Sequence, residues 1–397
     1  MIATGLDRLL DSPGELAGRR FGLLAHGASV TAGCVPAHLA LSAAGFPPAR
    51  LFGPEHGYYG VEQDMIPSED QIDPWTGVPI VSLYGHDERS LLPRPEAFAG
   101  LDLLIVDLQD IGTRYYTYAA TAVWAAEAAR SAGCEVWILD RPNPLGGEVI
   151  EGNLPEPGFA SFVGAFRIPV RHGLTLGEIV RLEASRRQWG RVPRVIEVKG
   201  WDRRGSWPAT GRPWVAPSPN MPTYSTALVY PGLCLLEATE ISEGRGTTRP
   251  FLILGAPEIR PTDLSRALES LERWGVRAIP TYFRPQFQKH RGEVCGGVEL
   301  TVFDEAKVSG YRLGLEILIA LKRATPQAFR WRTAPYEFVA ERPAIDLLTG
   351  SDLFRRALDR DAADEIENWL ASFAADEIAF RSERREILLY PEAGGKE

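Results

Sequence analysis

The sequence lacks most of the short patterns that assign a function directly. Its four cysteines, Cys34, Cys134, Cys234 and Cys295, are scattered over 397 residues without a CxxC pair, which argues against a zinc site or a disulfide framework. Six histidines include no HExxH spacing, so no metal-ligand pattern is present. Neither GxGxxG nor GxxxxGK(S/T) occurs, which removes the dinucleotide and P-loop fingerprints. No GxSxG is found, which weakens a serine esterase. No apolar run reaches the roughly 20 residues of a membrane helix. The first residues, "MIATGLDRLLDSPGELAGRR", have no uninterrupted apolar core of the kind a secretory signal needs. A cytoplasmic protein is expected, or a secreted one whose signal has been removed, in either case without membrane insertion. Positive charge is also short: 43 Lys and Arg face 52 Asp and Glu, a net charge of −9, which disfavours nucleic acid as a partner.

What is present is ordinary in bulk and patterned in detail. A hydrophobic fraction of 45% and a charged fraction of 24% are those of a globular protein. Apolar runs alternate with helical stretches through the first half. "RRFGLLAHG", the segment ending in "PEHG", "VPIVSLYG", "LDLLIVDLQD" and "CEVWILDRPNP" read as strands. "AGCVPAHLALSAAGF" and the Ala-rich "YTYAATAVWAAEAARSAG" read as helices closed by glycine. Continuously apolar strands separated by helices predict a mostly parallel sheet covered on both faces. The Pro-, Trp- and Gly-rich stretch over 200–223 disfavours regular elements and marks a boundary or a crossing loop. Beyond it, "FLILGAP", "VRAIPTYFRP" and "CGGVELTVFD" read as strands. "TDLSRALESLERWG", with Thr262 as its N-cap, and "YRLGLEILIALKRA" read as helices. The expected fold class is α/β, with a Rossmann-like catalytic domain over 1–215 and a smaller mixed α/β domain over 216–397. Only "AGGKE" at the end looks loose.

Ligands of parallel α/β sheets bind outside the carboxyl ends of the strands, and here those ends are polar. His26 follows the first strand, and Glu55 and His56 sit in "LFGPEHGYYG". Asp107, Gln109, Asp110, Arg114, Tyr115 and Tyr116 follow the fourth strand, and Asp140, Arg141 and Asn143 the fifth. Carboxylates, amides, guanidinium groups and rings such as Tyr58, Tyr59 and Tyr116 suit a polyhydroxylated ligand. Acid catalysis at a glycosidic bond needs a partly buried carboxylic acid, and Glu55 is the best-placed candidate. His56 beside it either orients that acid or bonds to substrate. Asp110 reads as a second carboxylate, or as the cap of a helix beginning near Thr113.

In order along nearly the whole chain, "FGPEHGYYG", "DLQDIGTRYYTY", "DRPNPLGG", "SFVGAFRIPVRHGLTLGEI" and "PSPNMPTYSTALVYPGLCLLEATEISEGRGTTRPF" resemble the exo-β-N-acetylmuramidase (NamZ-type) family of peptidoglycan hexosaminidases. The resemblance implies removal of a terminal β-1,4-linked N-acetylmuramic acid from the non-reducing end of peptidoglycan fragments, with no cofactor or metal. It puts the catalytic glutamate at Glu55. His56, Asp110, Arg114, Tyr116, Arg141, Asn143, His172, Asn220, Glu243 and Arg245 also match motif positions. Ile241 is a departure, standing where the family pattern is expected to carry asparagine. Muramic acid differs from glucosamine by a lactyl carboxylate, and arginine is the side chain best built to grip one. Arg114, Arg141, Arg171 and Arg245 are the candidates. The competing reading is a muropeptide- or sugar-binding protein that keeps the cleft without turnover.

Overall fold

The computed structural model describes residues 1–63, 66, 69–85 and 88–392; the "AGGKE" end lies outside them. The chain runs α1 (Gly5–Asp11), β1 (Phe21–Ala25), α2 (Ala37–Ala43), β2 (Arg50–Gly53), β3 (Gln71–Ile72), β4 (Pro79–Ser82), β5 (Leu103–Asp107), α3 (Tyr118–Ser131), β6 (Glu135–Leu139), α4 (Leu176–Arg186) and β7 (Arg194–Ile196). It continues with α5 (Tyr224–Leu233), β8 (Ile253–Ala256), α6 (Pro261–Ala267), β9 (Val276–Phe283), β10 (Cys295–Val302), α7 (Gly310–Ala324), α8 (Ala344–Thr349), α9 (Leu353–Asp359) and α10 (Ala363–Arg384). The first seven strands form one sheet in the order β3-β4-β2-β1-β5-β6-β7. Every neighbouring pair is parallel except β3 with β4. The second sheet, β8-β10-β9, is antiparallel.

The main elements follow from their composition. β1 (FGLLA) and β5 (LLIVD) are buried at every residue, as continuously apolar strands in a two-face-covered sheet must be. Ten of the fourteen residues of α3 are buried; alanine brings helix propensity without bulk, so this helix can lie close against the sheet. It ends where Gly133 turns left-handed at φ 84°, a conformation glycine adopts without Cβ strain. α4 begins in a capping box, Thr175 with Glu178.

Local signals misread two helices. The one expected over 32–46 occupies only Ala37–Ala43, because Pro36 stands at its N-cap and Val30 bridges Pro36 ahead of it. Thr262 is not a cap: Pro261 takes the first helical position of α6 and Arg260 precedes it, as the fixed φ of proline favours. The expected helix then tightens into a 3-10 segment over Glu269–Trp274.

The 200–223 stretch is a crossing loop, tied down by its carbonyls. Pro217 O accepts from Tyr118 Oη at 2.7 Å and pairs with His26 Nδ1 at 3.0 Å. The other ring nitrogen, Nε2, accepts from the Gln109 amide at 2.9 Å, so Nδ1 carries the proton. Burial pushes this imidazole down to about 3, and it stays a neutral strut between β1, β5 and the crossing loop. One hydrophobic cluster runs from Leu24 and Val106 in the large sheet to Leu315, Leu348 and Phe373 in the C-terminal helices. The two parts therefore share a core, and the pocket described next lies where they meet.

Candidate active site

At the carboxyl end of β2 the chain reverses within a few residues. Gly53 permits this, since a Cβ there would lie 2.7 Å from the Tyr58 amide nitrogen. Gly57 N donates to Pro54 O at 3.0 Å, closing a turn around Glu55 and His56. His56 has φ 70° and Gly57 φ 77°. A left-handed backbone at a residue with a full side chain costs energy and persists only where its surroundings hold it. His56 Nδ1 lies 3.1 Å from Glu62 O, which anchors the ring on the far side of the turn.

This turn delivers Glu55 into a pocket of about 490 Å³, counting the space that opens to solvent. Glu55 is buried, and its Oε2 accepts from Thr117 Oγ1 at 2.6 Å. Thr117 is the N-cap of α3 and its side chain caps no backbone amide, which leaves its hydroxyl for Glu55. Tyr116, Tyr118 and Tyr230 form one wall, packed edge to face with ring centroids 4.8 and 6.1 Å apart. Burial pushes their phenols up, so they remain neutral hydroxyls. Ser218 and Asn220 of the crossing loop complete this side, and Asn220 Nδ2 donates to Gln63 Oε1 at 3.0 Å.

Glu237, Arg245 and Tyr336 also line the pocket. Glu237 accepts from Arg245 Nη2 at 2.8 Å through Oε1, and from Tyr336 Oη at 2.7 Å through Oε2. Arg245 lies over the Phe251 ring at 5.3 Å. Behind it, Glu243 accepts from Lys289 Nζ at 2.7 Å and stands 3.9 Å from Arg245 Nε. Burial acts to raise the Glu243 carboxyl, and the charges of Lys289 and Arg245 outweigh it, holding it below the usual range.

Of the residues singled out from sequence, the structure brings Glu55, His56, Tyr115, Tyr116, Asn220 and Arg245 together in this pocket, with Glu243 one layer behind. The others are framework. Arg114 Nη1 donates to Asn153 O (2.7 Å) and Ile168 O (3.0 Å), and Nη2 to Leu348 O (2.9 Å), so its guanidinium is spent on three carbonyls. Arg141 grips Asp107 through Nε and Nη2 at 2.6 and 2.9 Å, and both it and Arg212 donate to Val30 O. These groups fill the crevice where strand order reverses between β1 and β5, the place a dinucleotide takes in a Rossmann fold. Asn143 Oδ1 accepts from the Leu145 amide and its Nδ2 donates to Leu174 O, each at 2.9 Å. Asp110 accepts from the Gly112 amide at 2.6 Å and lies 3.6 Å from His172 Nε2, outside the pocket lining. Nor is Asp110 a helix cap, since α3 starts only at Tyr118. Arg171 lines a different cavity. Tyr58 and Tyr59, expected against a sugar, are hydrogen-bonded to His38 and Asp73 instead.

Sequence reading missed Thr117, Glu237 and Tyr336. Glu237 sits in the apolar run "LCLLEATEI"; a lone acid in such a run is a buried polar group in need of partners, and that signal could have found it.

A model of the N-terminal part of exo-β-N-acetylmuramidase NamZ matches residues 21–225, and one of its C-terminal part matches residues 228–390. Peptidoglycan β-N-acetylmuramidase NamZ of Bacillus subtilis (strain 168) is 38% identical over 391 residues, covering 98% of this chain and 91% of that protein. Two crystal structures of DUF1343 family proteins from Bacteroides fragilis NCTC 9343 are similar throughout. One has TM-score 0.83 and 29% identity over 98% of this chain and 99% of its own. The other has TM-score 0.76 and 28% identity over 99% of each. Matched along both parts of its length in this way, the chain belongs to the exo-β-N-acetylmuramidase NamZ family.

Proposed function

We propose that the protein is a glycoside hydrolase that removes a terminal β-1,4-linked N-acetylmuramic acid from the non-reducing end of peptidoglycan fragments. Glu55 is the general acid, giving its proton to the glycosidic oxygen as the bond breaks. The observation that carries this reading is the buried Glu55 carboxyl, fixed by Thr117 in a pocket whose other walls are phenols, an amide and an acid–arginine pair. For the second carboxylate we take Glu237 rather than Asp110. It lines the same space from the other part of the chain, and Tyr336 and Arg245 orient both its oxygens. Facing the sugar, it would offset positive charge developing at the anomeric carbon or direct a water to it.

Arg245 is the one of the four candidate arginines that lines the pocket among the described residues, and it is our choice to read the lactyl carboxylate. On our reading of the chain as two domains, 1–215 and 216–397, one carboxylate of the pair comes from each. Incubation with 4-nitrophenyl β-N-acetylmuramide, alongside the matching N-acetylglucosaminide, tests the proposal. Release of nitrophenol from the muramide is expected. Saturable binding of a muramic acid fragment with no release would mean a sugar-binding protein instead.

A further inference from the structure

A loop behind the pocket holds the segment that carries Glu237 and Arg245. Residues 285–292 close on themselves, with Gly292 N donating to Pro285 O at 2.8 Å. The loop is docked on residues 236–246 by several ties. Gln286 N donates to Gly246 O at 2.8 Å, and Gly246 lacks the Cβ that would lie 2.8 Å from Phe287 N. His290 Nε2 donates to Glu240 O at 2.8 Å. Between these ties Gln288 and His290 are left-handed, with φ 64° and 56°. Neither is glycine, so that backbone costs energy and persists because its surroundings hold it. The residue between them is Lys289, which is outside the pocket lining.

The Lys289 ammonium is fully used. It donates to Leu236 O at 2.9 Å, Ile241 O at 3.1 Å and Glu243 Oε2 at 2.7 Å, the three bonds an ammonium can make. From here to the pocket the charges alternate: Lys289, Glu243, Arg245, Glu237. Glu243 stands 3.9 Å from Arg245 Nε, and Glu237 accepts from Arg245 Nη2 at 2.8 Å. Arg245 therefore lies between two buried carboxylates, and its position depends on how far each is met by other groups. Tyr336 serves Glu237, and Lys289 serves Glu243. A buried carboxylate stripped of its partner is costly and draws the nearest cation. Without Lys289, the cation left beside Glu243 among the described residues is Arg245.

We propose that Lys289 is a positioning residue for muramide recognition: by neutralising Glu243 it keeps Arg245 on Glu237, in the wall of the pocket. This rests on the reading of Arg245 as the group that meets the lactyl carboxylate. Lys289 then sets specificity without touching substrate, and the strained loop around it exists to hold its ammonium in place.

The test is the ratio of kcat/KM for the 4-nitrophenyl muramide to that for the glucosaminide, measured on the whole protein. Lys289→Met keeps the length of the side chain and removes its charge. The ratio should fall about tenfold or more, chiefly through a higher KM for the muramide. Lys289→Met/Glu243→Gln also removes the stranded carboxylate, and should restore the ratio to within about threefold of wild type. The carbonyls of Leu236 and Ile241 lose Lys289 in both variants, so a lysine that only ties down the backbone gives no recovery. An unchanged ratio in Lys289→Met, or no recovery in the double variant, overturns the proposal. If Lys289→Met does not fold, Lys289→Gln takes its place; if neither folds, Lys289 is a structural tie and the proposal is again overturned. Arg245→Ala, run alongside, separates the two ways to fail. Preference retained there removes the role of Arg245 and the proposal with it, as does a wild type that releases no nitrophenol from the muramide. Preference lost there but kept in Lys289→Met rejects the proposal alone.

Discussion

At the scale of single residues, the assignments rest on what each polar atom touches. Glu55 has one side-chain hydrogen-bond partner among the described residues, Thr117, and lines the pocket. Glu55→Gln should fold normally and lose about two to four orders of magnitude in turnover on an unactivated disaccharide, as loss of a general acid does; near wild-type turnover would remove Glu55 from the mechanism. Thr117→Val keeps the shape and deletes the hydroxyl that holds the acid. It should reduce kcat by roughly tenfold with little change in KM and should displace the alkaline limb of the pH–rate profile, where the general acid loses its proton, because it acts through Glu55. An unmoved profile would reduce Thr117 to a helix cap. Arg245→Ala should weaken muramide turnover by about 1.5–3 kcal/mol, the range of a charged hydrogen bond, and diminish the preference over glucosaminide. Arg114→Ala should instead act on stability, since its guanidinium serves three backbone carbonyls. If preference is retained in Arg245→Ala, another group reads the lactyl carboxylate.

At the scale of elements, α5 and α7 decide how the second part of the chain is seated. They cross where Gly232 meets Gly310 and Gly314: a Cβ on Gly232 would lie 2.1 Å from Gly310 O and 2.5 Å from Gly314 N. Those atoms are backbone, so neither helix can yield by turning a rotamer. α5 carries Tyr230 into the active pocket and Leu228 into the separate cavity lined by Arg171, so its position sets both. Gly232→Ala should cost about 3 kcal/mol or more, read as a lower urea midpoint. Gly190→Ala, where an added Cβ meets nothing within 4 Å, is the control and should be nearly neutral. Equal midpoints would mean that the crossing relaxes.

At the scale of the whole molecule, the buried carboxyl of Asp140 ties distant segments to the sheet. It accepts from Thr175 Oγ1 at 2.7 Å, Gly177 N at 2.9 Å and Tyr390 Oη at 2.7 Å, joining β6 to α4 and to the C-terminal tail. Burial pushes it up to about 7 in spite of these three donors, and the charge of Glu178 adds to the rise. The folded protein therefore holds a proton on Asp140 that the unfolded chain releases near pH 4. The stabilisation is complete below that value and is lost as pH rises through about 7, with a slope of up to ~1.4 kcal/mol per pH unit. Asp140→Asn, which keeps the shape, should flatten the fall in unfolding free energy between about pH 4 and pH 7. Parallel pH curves for the two proteins would place the proton elsewhere. The shared core of Leu24, Val106, Leu315 and Phe373 leads us to expect one cooperative transition in these titrations, although two family models match the chain, over 21–225 and 228–390.

The sequence by itself determined five strands of the large sheet, α3, the polar strand ends and the motif around Glu55, but not the edge strands β3 and β7. Those depend on neighbours in the chain: continuous apolar runs, an alanine stretch stopped by glycine, and a proline–glycine frame that forces a turn. It did not determine which polar residues face the ligand. Arg114 and Arg245 look alike in a string of letters, yet one donates to three backbone carbonyls and the other lines the pocket with Glu55. Glu237 was illegible for the same reason, since its partners Arg245 and Tyr336 are 8 and 99 residues away. Pairing at such separations depends on how the second part of the chain packs back onto the first. Only the tertiary structure decides that, because a buried charge is assigned to framework or function by where its partners end up in space.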